Sequence, residues 1–86
     1  MAQNERLERL RAVKAIHEHN LMSKANVVGV GIGFRHREGK RTSELAIIVS
    51  VTHKIPRSHL APEDVIPHEL EGLPVDVQAV GELRAL

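Results

Sequence analysis

Between Asn4 and Asn20 apolar residues return at every third position, at Leu7, Leu10, Val13 and Ile16, with Leu21 beyond. Glu5, Arg6, Glu8, Arg9, Arg11 and Lys14 fill the positions between them. This spacing predicts an amphipathic helix over residues 1–22. Asn4 is placed to cap its start, Glu5 suits the first turn, and Asn20 can end it in a left-handed conformation. A strict spacing of three slides around a helix of 3.6 residues per turn, so the apolar stripe slants, as suits a helix lying across a sheet.

From residue 26 the period changes to two. Val28, Val30, Ile32 and Phe34 alternate with Gly29, Gly31 and Gly33, which predicts a strand over 26–34 with one bulky face and one bare face. Glycine inside a strand marks close approach by another element, and the amphipathic helix is the expected neighbour of the glycine face. Residues 35–43 are polar and centred on Gly39, as in a hairpin connection. A second strand is predicted over 44–54, with Leu45, Ile47, Val49 and Val51 on one face and Ala46, Ile48 and Ser50 on the other. Apolar residues on both faces mark it as central. Pro56 ends it.

Pro62 at a first helical position, followed by Glu63 and Asp64, predicts a short helix over 60–67 that Pro67 stops. A last strand is predicted over 74–81, where Val75, Val77 and Ala79 alternate with Asp76 and Gln78 as at a half-exposed edge. The expected fold is a single small α+β domain over residues 1–86, ordered α-β-β-α-β, with a three-stranded sheet covered on one face by helices.

Composition narrows the function classes. There is no cysteine, which removes disulfides, thiol nucleophiles and Cys-based zinc sites and fits a reducing compartment. Phe34 is the single Phe, and Trp and Tyr are absent, so the core must be aliphatic. Twelve basic against eleven acidic residues leave a net charge of +1, far from the basic balance of a nucleic-acid binder. No stretch reaches the ~20 apolar residues of a membrane span, and the N-terminal residues lack the apolar centre of a secretion signal. A cytoplasmic location is the expectation. Chains of this size bury only about 60% of their unfolded surface, so self-association is expected to supplement the core.

Candidate chemistry is sparse. The Gly29, Gly31, Gly33 series lies within a strand, whereas phosphate cradles place glycines at a strand-to-helix turn, so the glycines are read as packing. The six histidines are scattered: His17 and His19 face different directions on the helix, and His36, His53, His59 and His68 fall in loops or at strand ends. Convergence of His53, His59 and His68 is the one arrangement that would make a metal site. Arg35, Arg37, Lys40 and Arg41 concentrate positive charge in the hairpin and offer a nucleic-acid surface, with only Phe34 available for stacking. Ser23, Ser43, Ser50 and Ser58 sit in no nucleophile turn. No catalytic residue, cofactor or metal is expected.

Several runs occur together in order: Asn26 to Phe34, Thr42 to Val51, Lys54-Ile55-Pro56, Leu60 to Pro67, Glu71 to Val77, and Val80-Gly81-Glu82. Together they resemble the region that precedes the protease domain in bacterial trypsin-like serine proteases and in plant proteases of the narrow-leaf type. The resemblance spans about Leu21 to Leu83. It implies an accessory domain whose catalytic His, Asp and Ser lie downstream in a trypsin-like double barrel. Leu86 falls about where the linker to that barrel would begin, so no catalytic residue transfers to this chain.

The leading functional expectation is a non-enzymatic interaction or assembly module that self-associates through its sheet. The candidate interface is Leu45, Ile47, Val49 and Val51 with Val75 and Val77 of the last strand. The partner would be a second copy or another protein domain, not a membrane. The alternatives are an N-terminal accessory domain of a longer trypsin-like protease, and weak single-stranded nucleic-acid binding through Arg35, Arg37, Lys40 and Arg41.

Overall fold

The computed structural model describes residues 2–81. Helix α1 runs Ala2–Met22, followed by strands β1 (Val27–Arg37), β2 (Lys40–Val51), β3 (Glu69–Leu70) and β4 (Leu73–Ala79). The strands form one sheet in the order β1-β2-β4-β3. β1 and β2 pair antiparallel, β2 and β4 parallel, and β3 and β4 antiparallel.

Three features of the expected fold are corrected. The sheet has four strands and is mixed, because Glu69–Leu70 forms a short strand of its own. It is joined to β4 by Glu71 and Gly72, both at positive φ (49° and 81°), as a two-residue hairpin turn requires. A strand of two residues is too short to show any periodicity. Second, the helix expected over 60–67 is reduced to one 3-10 turn, Pro62–Asp64, with another before it at Arg57–His59. Prolines at 56, 62 and 67 leave no run of backbone donors long enough for α-helical turns. α1 is thus the single α-helix among the described residues. Third, β4 is not simply an edge strand. It lies between β2 and β3, although β3 covers only its first two residues, Leu73 and Pro74.

The two long strands extend further into the hairpin than the polar run suggested. Glu38 and Gly39 (φ 52° and 78°) make the turn, and Arg37 pairs with Lys40. At its other end α1 continues past Asn20: the Ser23 N–H donates to the His19 carbonyl, and the left-handed residue is Asn26 (φ 74°), at the entry to β1. The start is displaced too, with Asn4 inside the first turn instead of capping it.

The core lies between α1 and the bulky face of the sheet. Leu10, Val13 and Leu21 of α1 pack with Ile47, Val49 and Val51 of β2 and with Leu73 and Val75 of β4, and Val30 and Ile32 of β1 lie against this cluster. The helix therefore covers the valine-isoleucine face, and the expectation that it covers the glycine face is overturned. Each fully buried aliphatic side chain contributes about 1.5–3 kcal/mol, and the bare face has none to offer from β1. Gly33 instead makes room within the sheet: a Cβ there would lie 3.2 Å from Ile48 Cγ1 of the neighbouring strand. The slanting stripe is also resolved. Leu10, Val13 and Leu21 stay on the buried face, while Ile16 has rotated out and is 69% exposed.

Polar contacts fix α1 across the sheet. Arg6 Nη2 donates to the Leu45 carbonyl (3.0 Å), and Arg9 Nη2 donates to the Glu71 carbonyl (3.1 Å). His17 Nε2 lies 3.0 Å from Glu71 Oε2. Residues 52–68 form the crossover that a parallel β2–β4 pair needs. This segment is pinned to the link between α1 and β1. The Ala25 N–H donates to Asp64 Oδ1 (2.8 Å), Lys24 Nζ to the Glu63 carbonyl (2.7 Å), and Asn26 Nδ2 to the His53 carbonyl.

Candidate functional site

The crossover is rich in proline and cannot pack as a helix, so it leaves a groove of about 350 Å³ beside β4. Val75, Asp76 and Val77 of β4 form one wall, and the crossover forms the other from His53 to His68. Arg35 and His36 of β1 close one part of it, and Ala25 and Asn26 another. Its apolar lining includes Ile55, Leu60, Val65 and Ile66, all half-buried.

The groove is polar at its rim. Lys54 and Arg57 line it, and Arg57 Nη2 donates to His68 Nε2 at 3.1 Å. Its two carboxylates are already engaged within the chain. Asp64 accepts the Ala25 N–H (2.8 Å), and Asp76 Oδ2 accepts the His36 N–H and Gln78 Nε2–H, each at 2.9 Å.

The hairpin beside it holds a charge cluster. Arg35 Nη1 lies 2.8 Å from Glu44 Oε1, and Arg6 Nη2 lies 3.9 Å from Glu44 Oε2. The hydrogen bond from Arg35 holds the Glu44 carboxyl below the usual carboxylate range, and the charges of Arg35, Arg6 and Arg37 act in the same direction. Arg41 stacks over the Phe34 ring, 4.4 Å from its centroid. Arg35 and Arg41 thus have partners inside the chain, and Phe34 is covered by a cation on one face. Arg37 and Lys40 are exposed at the hairpin tip.

The residues expected to form an interface are differently placed. Ile47, Val49, Val51 and Val75 are 0%, 0%, 3% and 6% exposed, under α1 in the core. Leu45 and Val77 are half-buried against the same cluster. The face read as a surface for a second copy is occupied by the chain's own helix.

No group of three or more His, Asp or Glu side chains converges on a metal position among the described residues. His53 Nδ1 is within 3.2 Å of Thr52 Oγ1, and His68 faces Arg57. Ser50 is half-buried in β2 opposite Gly29, with no histidine bonded to it among the described residues. Missed entirely by sequence reasoning was the groove. The signal for it was present: Ile55, Leu60 and Val65 are apolar residues in a proline-punctuated segment with no helical period to bury them.

The described residues thus form a small α+β domain, one helix on a mixed four-stranded sheet with a lateral groove. Residues 2–80 match the model of the NARROW LEAF 1 N-terminal domain, and the chain belongs to that family. No curated protein matches the chain.

Proposed function

We propose that this chain acts as the N-terminal accessory domain of a trypsin-like serine peptidase and supplies structure and contacts instead of chemistry. The observation that carries the reading is membership of the NARROW LEAF 1 N-terminal domain family over residues 2–80. It is supported by a domain core completed within the chain by α1, with the groove beside the outer edge of β4 open to other protein. No described helix is long and apolar enough to cross a membrane.

The test is to read the gene beyond codon 86 and to purify the native product. An open frame encoding a His, an Asp and a Gly-x-Ser-Gly run supports the reading. So does a stop codon followed by co-purification of a separately encoded trypsin-like barrel. A stop codon with no such barrel in the native complex overturns it.

A further inference from the structure

The groove borders an unpaired strand edge. Along a strand, successive residues direct their N–H and C=O groups to opposite edges. The Val75 N–H points outward to the His68 carbonyl (2.9 Å), while the Val80 N–H points inward to the Val51 carbonyl (2.8 Å). Val77 is therefore in phase with Val75, and its N–H and C=O face the groove side. β3 ends its pairing at Pro74, and no group among the described residues hydrogen-bonds the Val77 backbone on that side.

The chemistry around this edge is selective. Ile55, Leu60 and Val65 offer apolar contact, and Lys54 and Arg57 supply positive charge. Among the described residues neither cation has a carboxylate within ion-pair distance. Asp64 and Asp76 are turned to the Ala25 and His36 N–H groups. An incoming strand would thus meet free backbone groups on one side and unpaired cations on the other.

We infer that the groove beside β4 binds an extended acidic segment of a partner protein, which adds as a strand along the outward edge at Val77–Ala79 and places carboxylates against Lys54 and Arg57. Main-chain hydrogen bonds supply affinity in such strand addition, and alternate side chains supply selectivity. The inference needs no attached peptidase, so it stands or falls separately from the accessory-domain reading.

The experiment titrates the full 86-residue chain into a fluorescein-labelled peptide of alternating Glu and Val, read by anisotropy. Saturable binding with Kd below about 100 µM is expected. The double variant Lys54→Glu/Arg57→Glu and a Lys-Val peptide should each bind about tenfold more weakly or worse. Val77→Pro removes an outward N–H without touching the inward ladder, so it should abolish binding while the circular dichroism is unchanged. N-methylation of alternate peptide amides gives the same test from the ligand side and decides the matter if Val77→Pro does not fold. No saturable binding below about 100 µM overturns the inference, as does equal binding of the Lys-Val or the N-methylated peptide.

Discussion

The Asp76 carboxylate on β4 accepts the backbone N–H of His36 on β1 at 2.9 Å, although β2 lies between those two strands in the sheet. The link is possible because the β1–β2 ladder is irregular between Phe34 and His36. There Thr42 Oγ1 donates to the Arg35 carbonyl (2.7 Å) and accepts the Glu44 N–H (3.2 Å). Gln78 Nε2 reaches the Phe34 carbonyl (3.4 Å) in the same region. The β1–β2 hairpin is thereby tied to β4, and Arg35 and His36 are brought to the groove.

Asp76→Ala removes the acceptor for His36 and should destabilise the domain by about 1–2 kcal/mol. Asp76→Asn keeps an acceptor oxygen and should lose less. Urea unfolding of the three proteins checks the order, and equal midpoints for Asp76→Ala and the parent would show that the tie contributes nothing.

Leu10 and Ile16 share the helix stripe but not its burial, at 0% and 69% exposed. Leu10→Ala should cost about 2–5 kcal/mol. Ile16→Ala should stay within about 0.5 kcal/mol of the parent, because the side chain it truncates is mostly in water. Similar losses at both positions would mean that Ile16 is covered in solution.

The strand glycines separate in the same way. At Gly31 a Cβ would meet nothing within 4 Å, so Gly31→Ala should be neutral or stabilising by up to about 1 kcal/mol. At Gly33 it would press on Ile48 Cγ1 at 3.2 Å, and Gly33→Ala should destabilise by about 1 kcal/mol or more. Thermal midpoints distinguish them, and large losses at both positions would mean that another element packs on the glycine face.

Glu44 gives the pH dependence. Its carboxyl titrates below its ordinary value of 4.5 because Arg35 is bonded to it. A depressed carboxylate binds its proton more weakly folded than unfolded. Its contribution is therefore full above pH 4.5 and is lost as pH falls through the lowered value. Glu44→Gln should flatten the acid limb of the stability profile, measured as urea midpoint against pH. Parallel profiles for variant and parent would remove Glu44 from the acid response.

Much of the local structure was legible from periodicity. Leu7 to Leu21 announced α1, and the alternation at Val28–Phe34 and Leu45–Val51 announced the two long strands. Period three or four and period two are properties of single elements, set by backbone geometry. The family resemblance was legible too, since it rests on runs of residues in order. The groove was not, because Lys54, Arg57 and Val77 come together only when the crossover returns to β4.

By itself the sequence determined the type of each long element, the aliphatic character of the core and the lack of cysteine chemistry. These depend on neighbours in the chain and on composition. Tertiary structure alone decided which sheet face α1 covers, the parallel pairing of β2 with β4, and the short strand β3. Each is a contest between faces or partners of similar local preference. Burial of Val30, Ile32, Ile47 and Val49 beneath Leu10, Val13 and Leu21 resolves the first of them, by placing the larger apolar area out of water.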